Sequence, residues 1–300
     1  MMKRLVTGAV YVLVLLAFFF LREVDTRFFG ILVYAFSLIG TYEIVRAVSG
    51  TVSDSGEPRE AVLPMSVSQK ISVFAYAALF TPSYYILEYF APGQGYRALL
   101  NLSFTLGLAL LCLLVVDHEH AKLQGFGGAL ICSVYPTAIL ATMLLANDLS
   151  EGSLLALLLI FVISPVADTF AFLTGSVLKG KKLCPKISPK KTISGAVGGV
   201  VFGTLACVFI YWLYDLLVGD VYVNFGGGWA GTPWVVFIVI GLITSLLTEF
   251  GDLVESVIKR SCGIKDMGKI LPGHGGVLDR IDGTLFASTF VYIAFALLIS

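Results

Sequence analysis

Nine stretches of the chain are mostly apolar, at about 5–21, 28–46, 71–91, 98–116, 125–147, 153–178, 193–219, 234–258 and 283–300. A helix that crosses a bilayer needs about 20 mostly apolar residues, and each stretch is close to that length. The expected fold class is all-α, a polytopic integral membrane protein with about nine transmembrane helices. The first stretch follows Met1-Met2-Lys3-Arg4, lacks a clear small-residue cleavage site and leads directly into the second. It reads as a retained helix rather than a removable signal.

Charge decides the orientation. With the N-terminus in the cytoplasm and the chain alternating sides, the inner segments hold 17 of the 20 lysines and arginines. Only Arg22, Arg27 and Arg97 fall outside, as the positive-inside rule requires. The loops 179–192 and 259–282 then face the cytoplasm. A boundary near residue 97 separates an N-terminal three-helix unit (1–97, with a flexible Ser/Gly/Pro-rich linker at 49–69) from a six-helix unit (98–300) that carries both loops.

Composition supports the class and narrows the chemistry. Charged residues make up 13% of the chain and hydrophobic ones 57%, against about 25% and 45–50% in a soluble domain. Formal net charge is zero, so nothing global favours nucleic acid. The five cysteines show no paired spacing, which indicates neither a disulfide framework nor a zinc site. His118 and His120 read as part of a solvated turn. No internal repeat is visible, which counts against an inverted-repeat transporter.

The charges that remain are concentrated. Glu249, Asp252, Ser256 and Lys259 recur at steps of three and four, so a helix stacks them on one face, with Glu255 at its border. Asp279 and Asp282 form a D-x-x-D pair and share a face if the last helix starts before Asp279. Such carboxylates suit Mg²⁺, a hard cation usually completed by water and substrate phosphates. Acids at a helix start also complement its dipole without any metal.

Upstream lies Pro272-Gly273-His274-Gly275-Gly276. Its glycines let backbone N–H groups approach an anion, while His274 either donates to a phosphate or fixes the loop. The segment 179–192 (KGKKLCPKISPKKT) holds six lysines, which serve as a membrane anchor or as phosphate ligands. A helix beginning after Thr192 adds N–H donors to the second option. Asp168 sits inside an apolar span, where an acid costs about 2.5–3.5 kcal/mol on insertion scales. It reads as a cation ligand, a partner for a loop lysine, or a buried polar contact.

With these residues assembled, the chain resembles the phosphatidate cytidylyltransferase (CDP-diacylglycerol synthase) family. Its signature S-x-x-K-R, four residues, K-D, then P-x-H-G-G-x-x-D-R-x-D is met at Ser256, Lys259, Arg260, Lys265, Asp266, Pro272, His274, Gly275, Gly276, Asp279, Arg280 and Asp282. Gly251-Asp252-Leu253-Val254-Glu255-Ser256, Asp168-Thr169 and Ile187–Thr192 match further family motifs. Ser194 stands where an acid is expected before Gly195, and Thr248-Glu249 where Ser-Gln is common. Residues 1 to about 97 resemble the family only as hydrophobic spans.

The resemblance implies that CTP and phosphatidate give CDP-diacylglycerol and pyrophosphate with Mg²⁺, at the cytoplasmic face of the cell (inner) membrane. Asp252, Asp279 and Asp282, with Asp168 as a fourth, are the implied metal ligands, and a second cation is left open. Asp252, Lys259, Arg260, Asp266, His274, Asp279 and Asp282 form the implied catalytic set. Ser188, Lys190, Lys191, Thr192, Ser256, Lys265, Gly275, Gly276 and Arg280 are expected to hold substrate. A homodimer is implied and no nucleic-acid partner is. The rival classes are a transporter or channel using Asp168 and the carboxylate stripe, and a CDP-alcohol phosphotransferase, whose D-G-x-x-A-R pattern is missing.

Overall fold

A computed structural model describes residues 2–50, 59–219, 233–273 and 275–299. Among them are nine helices: α1 (Met2–Val24), α2 (Arg27–Ser49), α3 (Val67–Phe90), α4 (Gly95–Val116), α5 (Leu123–Asn147), α6 (Ser153–Leu178), α7 (Ile193–Leu217), α8 (Pro233–Ser261) and α9 (Leu278–Leu298). Within α5 a π-helical turn, Ser133–Ala138, contains a cis Tyr135–Pro136 bond. Eight of the nine are long and apolar enough to cross a membrane. The exception is α3, in which Gln69, Lys70, Ser72, Ser83 and Glu88 dilute the apolar content. The chain is an all-α polytopic membrane protein, as its apolar stretches predict.

The helices pack as two compact units. One comprises Met1–Leu144 and Ile258–Arg280. Its interior is built from Phe29, Val33, Ile44, Ala77, Phe80 and Leu110, all at 2% exposure or less. Hydroxyls fasten α2 to α5: Ser37 and Thr41 lie 2.9 and 3.0 Å from the Thr137 Oγ1. Such bonds matter between membrane helices, where apolar contact alone is no better than contact with lipid. Ser66 starts α3 with a reciprocal cap, its Oγ accepting from Gln69 N–H while the Gln69 side chain returns to the Ser66 N–H.

The linker expected to be flexible is tied down in its described half. Leu63 N–H donates to the Val48 carbonyl at 3.0 Å and Gln124 to that of Val62 at 3.0 Å. Arg59 donates to the carbonyls of Ala47 and Cys262. A guanidinium with five donors can satisfy several carbonyls at once, a contact that composition does not reveal. Residues 51–58 lie outside the described set.

The second unit comprises Leu145–Val257 and Ile281–Ser300. Here α6 and α7 meet along facing rows of small residues, Ala167, Ala171 and Gly175 against Gly195, Gly199 and Gly203. A Cβ on Gly195 would sit 2.6 Å from the Ala171 carbonyl oxygen, and one on Gly199 would sit 2.9 Å from that of Ala167. Small residues at every fourth position bring backbones this close. Tyr211 on α7 stacks on Phe237 of α8 at 4.1 Å, and Phe237 meets Phe295 of α9 edge-on at 6.2 Å.

Between α6 and α7 the lysine-rich segment forms a small antiparallel hairpin, β1 (Lys182–Cys184) with β2 (Ser188–Thr192). Thr192 ends the hairpin in extended conformation and caps α7, its Oγ1 accepting from Gly195 N–H at 3.1 Å. A Thr cap is worth about 1 kcal/mol. It also fixes where the strand stops, and therefore which way Lys191 faces.

Candidate functional site

The charged stripe of α8 forms as its spacing predicts, and two glycines place it against α9. A Cβ on Gly251 would lie 2.8 Å from the Asp282 carbonyl oxygen and 3.2 Å from the Gly283 Cα. One on Gly283 would meet Thr248 and Ser164 at 2.8 and 2.7 Å. Gly251 precedes Asp252 and Gly283 follows Asp282, so the two helices come close together beside both aspartates.

As a result, oxygens of Asp252, Glu255 and Asp282 come within 4.8 Å of one another. Mg²⁺ binds oxygen at about 2.0–2.1 Å, so opposite ligands stand about 4.2 Å apart. At most one pair of the three can be opposite; neighbouring oxygens of the octahedron stand about 2.9 Å apart, so the carboxylates must draw together around the ion. Three carboxylates are the hard-oxygen donor set that the ion favours, and in that respect the residues fit.

Lys191 reaches in from β2. Its Nζ lies 2.7 Å from the Glu249 Oε2 and 2.7 Å from the Asp252 Oδ2. Burial disfavours the ammonium, but the Asp252 and Glu249 carboxylates more than offset it and hold Lys191 above the ordinary lysine range. Lys191 is therefore charged throughout the neutral pH range. Glu249 is 6% exposed, and its Oε1 has no hydrogen-bond partner among the described residues. Its charge is balanced chiefly through Lys191.

These groups border a cavity of about 610 Å³, whose lining includes Asp168, Glu249 and Asp252 together with Lys179, Lys182, Lys190, Lys191 and Thr192. The volume is in the range of small-molecule sites. Ser188 pairs with Cys184 at the start of β2. Ser194, found where an acid was expected, donates to the Lys179 carbonyl and so ties the hairpin base to α7.

The signature loop has its own geometry within the first unit. Lys259 Nζ sits 2.8 Å from the Asp279 Oδ1. The Asp279 Oδ2 accepts from the N–H groups of Met267 at 2.8 Å and Gly276 at 2.7 Å. Asp279, expected to be a metal ligand, is thus occupied with a lysine and two amides. The Gly276 N–H, expected to face an anion, is turned onto that carboxylate. Gly273 and Gly275 have φ of 79° and 90°, a region open to glycine with little strain.

Arg260, Lys265, Asp266 and Arg280 are exposed, whereas Ser256 is buried. His274 lies outside the described residues. Because α9 starts at Leu278, Asp279 and Asp282 share a helix as the D-x-x-D reading requires, yet their partners differ. Two acids carry more of the geometry than the spacing suggests. Glu255 joins the carboxylate group, for which its place at the border of the stripe was the signal. Glu43 contacts the signature loop from α2, and only its being a charge inside an apolar stretch could have marked it.

The cytidylyltransferase family matches residues 2–298. The chain is 29% identical over 297 residues to the phosphatidate cytidylyltransferase of Bacillus subtilis (strain 168), covering 99% of this chain and 98% of that protein. It is 39% identical over 142 residues to the protein of that name from Thermotoga maritima, 47% of this chain and 49% of that one. For the Brucella abortus protein of that name the figures are 41% over 134 residues, 45% and 44%. The match spans both units and every element of the site, and the chain belongs to the cytidylyltransferase family.

Proposed function

We propose that this protein is a phosphatidate cytidylyltransferase, which joins phosphatidate to the cytidylyl group of CTP and releases pyrophosphate. The observation that carries the reading is the convergence of Asp252, Glu255 and Asp282 beside Lys191, at a cavity whose lining includes four lysines. The whole-length family match supplies the substrates.

In this reaction an oxygen of the lipid phosphate bonds to the α-phosphorus of CTP. The bond from that phosphorus to the bridging oxygen breaks, and pyrophosphate leaves with its electron pair. A phosphate monoester is already ionised near neutral pH, so the attack requires little general base. The chief difficulty is bringing anions together.

Asp252, Glu255 and Asp282 would hold Mg²⁺, which when bound supplies charge neutralisation and polarises the phosphoryl oxygens. Lys191 remains cationic in the presence of Glu249 and Asp252 and offers a fixed positive charge at the cavity wall. Lys179, Lys182 and Lys190 attract the triphosphate. In the first turn of α7 the N–H groups of Ile193 and Gly195 are already taken, by the Lys181 carbonyl and the Thr192 Oγ1, so the lysines rather than the helix N-terminus supply the positive charge. Asp279 keeps Lys259 and the signature loop in place. Arg260, Lys265, Asp266, His274 and Arg280 are assigned to positioning of substrate or pyrophosphate.

The charge distribution of the loops supports a cytoplasmic N-terminus, with the site at the inner face of the cell membrane where nucleotide is available. The test is to incubate purified protein with CTP labelled at the α-phosphate and phosphatidate, with and without EDTA, and to extract the lipid. Label should enter the lipid phase only when both substrates are present, and EDTA should prevent it. Solute flux into liposomes without any labelled lipid would establish a transporter instead.

A further inference from the structure

Glu43 is a carboxylate inside an apolar helix, at 1% exposure, and the reaction as written makes no use of it. Its Oε1 accepts from the Val277 N–H at 3.0 Å and its Oε2 from the Leu278 N–H at 2.9 Å. These amides belong to the first residue of α9 and the residue before it. The first N–H groups of a helix have no partner within it, and a negative charge there is favoured by the helix dipole. Caps usually come from the adjoining chain, but Val277 has no acceptor side chain. This cap comes from 234 positions away.

The signature loop is shaped around this carboxylate. A Cβ on Gly268 would lie 2.0 Å from the Glu43 Oε1. One on Gly276 would meet Glu43 Oε1, Cδ and Oε2 at 2.5 to 2.6 Å, and these are its three nearest atoms. Arg59, in the linker that follows α2, donates to the Cys262 carbonyl at the other end of the same stretch. The loop is therefore anchored from α2 and its linker as well as by Asp279.

We infer that Glu43 is a positioning residue for cytidylyl transfer. It acts through the backbone at 277 and 278 to fix the first turn of α9 and the signature loop, and hence the carboxylate of Asp279 and the Lys259 ammonium held against it. This rests on the cytidylyltransferase reading. A displacement of about 1 Å in a reacting group can cost about 100-fold in rate, so loss of the anchor should act on turnover more than on substrate binding.

The experiment compares wild type with Glu43→Gln, Glu43→Asp, Gly276→Ala and the Glu43→Asp/Gly276→Ala pair. Each is assayed for kcat, KM for CTP, Tm and amide hydrogen exchange over 275–280. Glu43→Gln should lower kcat about tenfold or more, leave KM within about twofold and speed exchange at 277 and 278. Gly276→Ala should lower kcat similarly. Shortening residue 43 makes room for the new methyl, so the pair should recover at least about fivefold over Gly276→Ala alone, a coupling expected only of residues in contact. Activity that falls only in step with Tm, or a pair equal to the product of its single variants, would overturn the inference. Should wild type prove inactive on CTP, the functional reading fails. Exchange then decides the Glu43 anchor alone: faster exchange in Glu43→Gln sustains it and unchanged exchange removes it.

Discussion

Replacing Lys191 by methionine keeps the length of the side chain and removes its charge. The Lys191 side chain is 18% exposed and stands between the side chains of Glu249, at 7%, and Asp252, at 27%. Breaking a buried ion pair by deleting one partner costs about 3–5 kcal/mol, since a buried charge is left uncompensated. Asp252 is partly solvated and can turn to water at the cavity. The loss should therefore fall near the lower end, about 3 kcal/mol, with most of it located at Glu249. Thermal unfolding in detergent should show a drop in Tm on the order of 5 °C, and CTP turnover should fall at least tenfold.

The decisive comparison adds Glu249→Gln. On the Lys191→Met background it removes the stranded charge and should restore most of the lost Tm, while turnover stays low. On the wild-type background the same substitution should be mildly destabilising. If Lys191→Met leaves Tm unchanged, or Glu249→Gln has the same effect on both backgrounds, the ion pair is not the counter-charge system described. The pH dependence has a definite sign. The pKa of Lys191 is raised on folding, so its stabilisation is complete below the unfolded value of about 10.4 and is lost as pH rises through the native value. Stability between pH 6 and 9 should carry no slope from this residue.

Asp282→Asn should leave less than a tenth of wild-type turnover with near-normal expression and Tm; retention of more than that would remove Asp282 from the metal group. Glu255→Gln should raise the Mg²⁺ concentration giving half-maximal rate by about tenfold or more, since a ligand is lost. Asp279→Asn should instead lower Tm and leave the Mg²⁺ requirement unchanged, because its partners are Lys259 and two amides. Mg²⁺ titration of both variants checks the division. Gly251→Val must force α8 from α9 and should cost about 1–3 kcal/mol with loss of turnover, read by the same melting and lipid-extraction assays.

Much of this was legible because the bilayer simplifies the code. A crossing helix announces itself by apolar length alone, so nine spans were expected from hydropathy, and eight of the helices among the described residues are long and apolar enough to be one, with α3 the exception. The α8 stripe followed from its three- and four-residue steps. The hairpin at 182–192 was not legible: strands of three and five residues, rich in lysine and interrupted by proline, lack the alternation that marks a sheet. The carboxylates of Asp252 and Asp282 lie close together, yet their meeting depends on Gly251 and Gly283, whose role is visible only when two backbones touch. Asp279 and Glu43 were hardest. Both bond to main-chain N–H groups, which every residue but proline carries, so nothing in the partner's sequence advertises the contact.

Helix α8 has 29 residues, and at 1.5 Å per residue it extends about 43 Å, well beyond the roughly 30 Å of hydrocarbon in a bilayer. Glu249, Asp252 and Glu255 come about 24, 29 and 33 Å along the axis from Pro233, so with Pro233 at one edge of the hydrocarbon the acidic stripe straddles the other edge, next to the headgroups. A phospholipid already holds its phosphate at that depth and need not be lifted from its leaflet to react. One reactant is therefore met on a surface and the other in a volume. Turnover should follow the mole fraction of phosphatidate among its neighbours, and diluting it with inert lipid should slow the enzyme even when the amount per millilitre is unchanged.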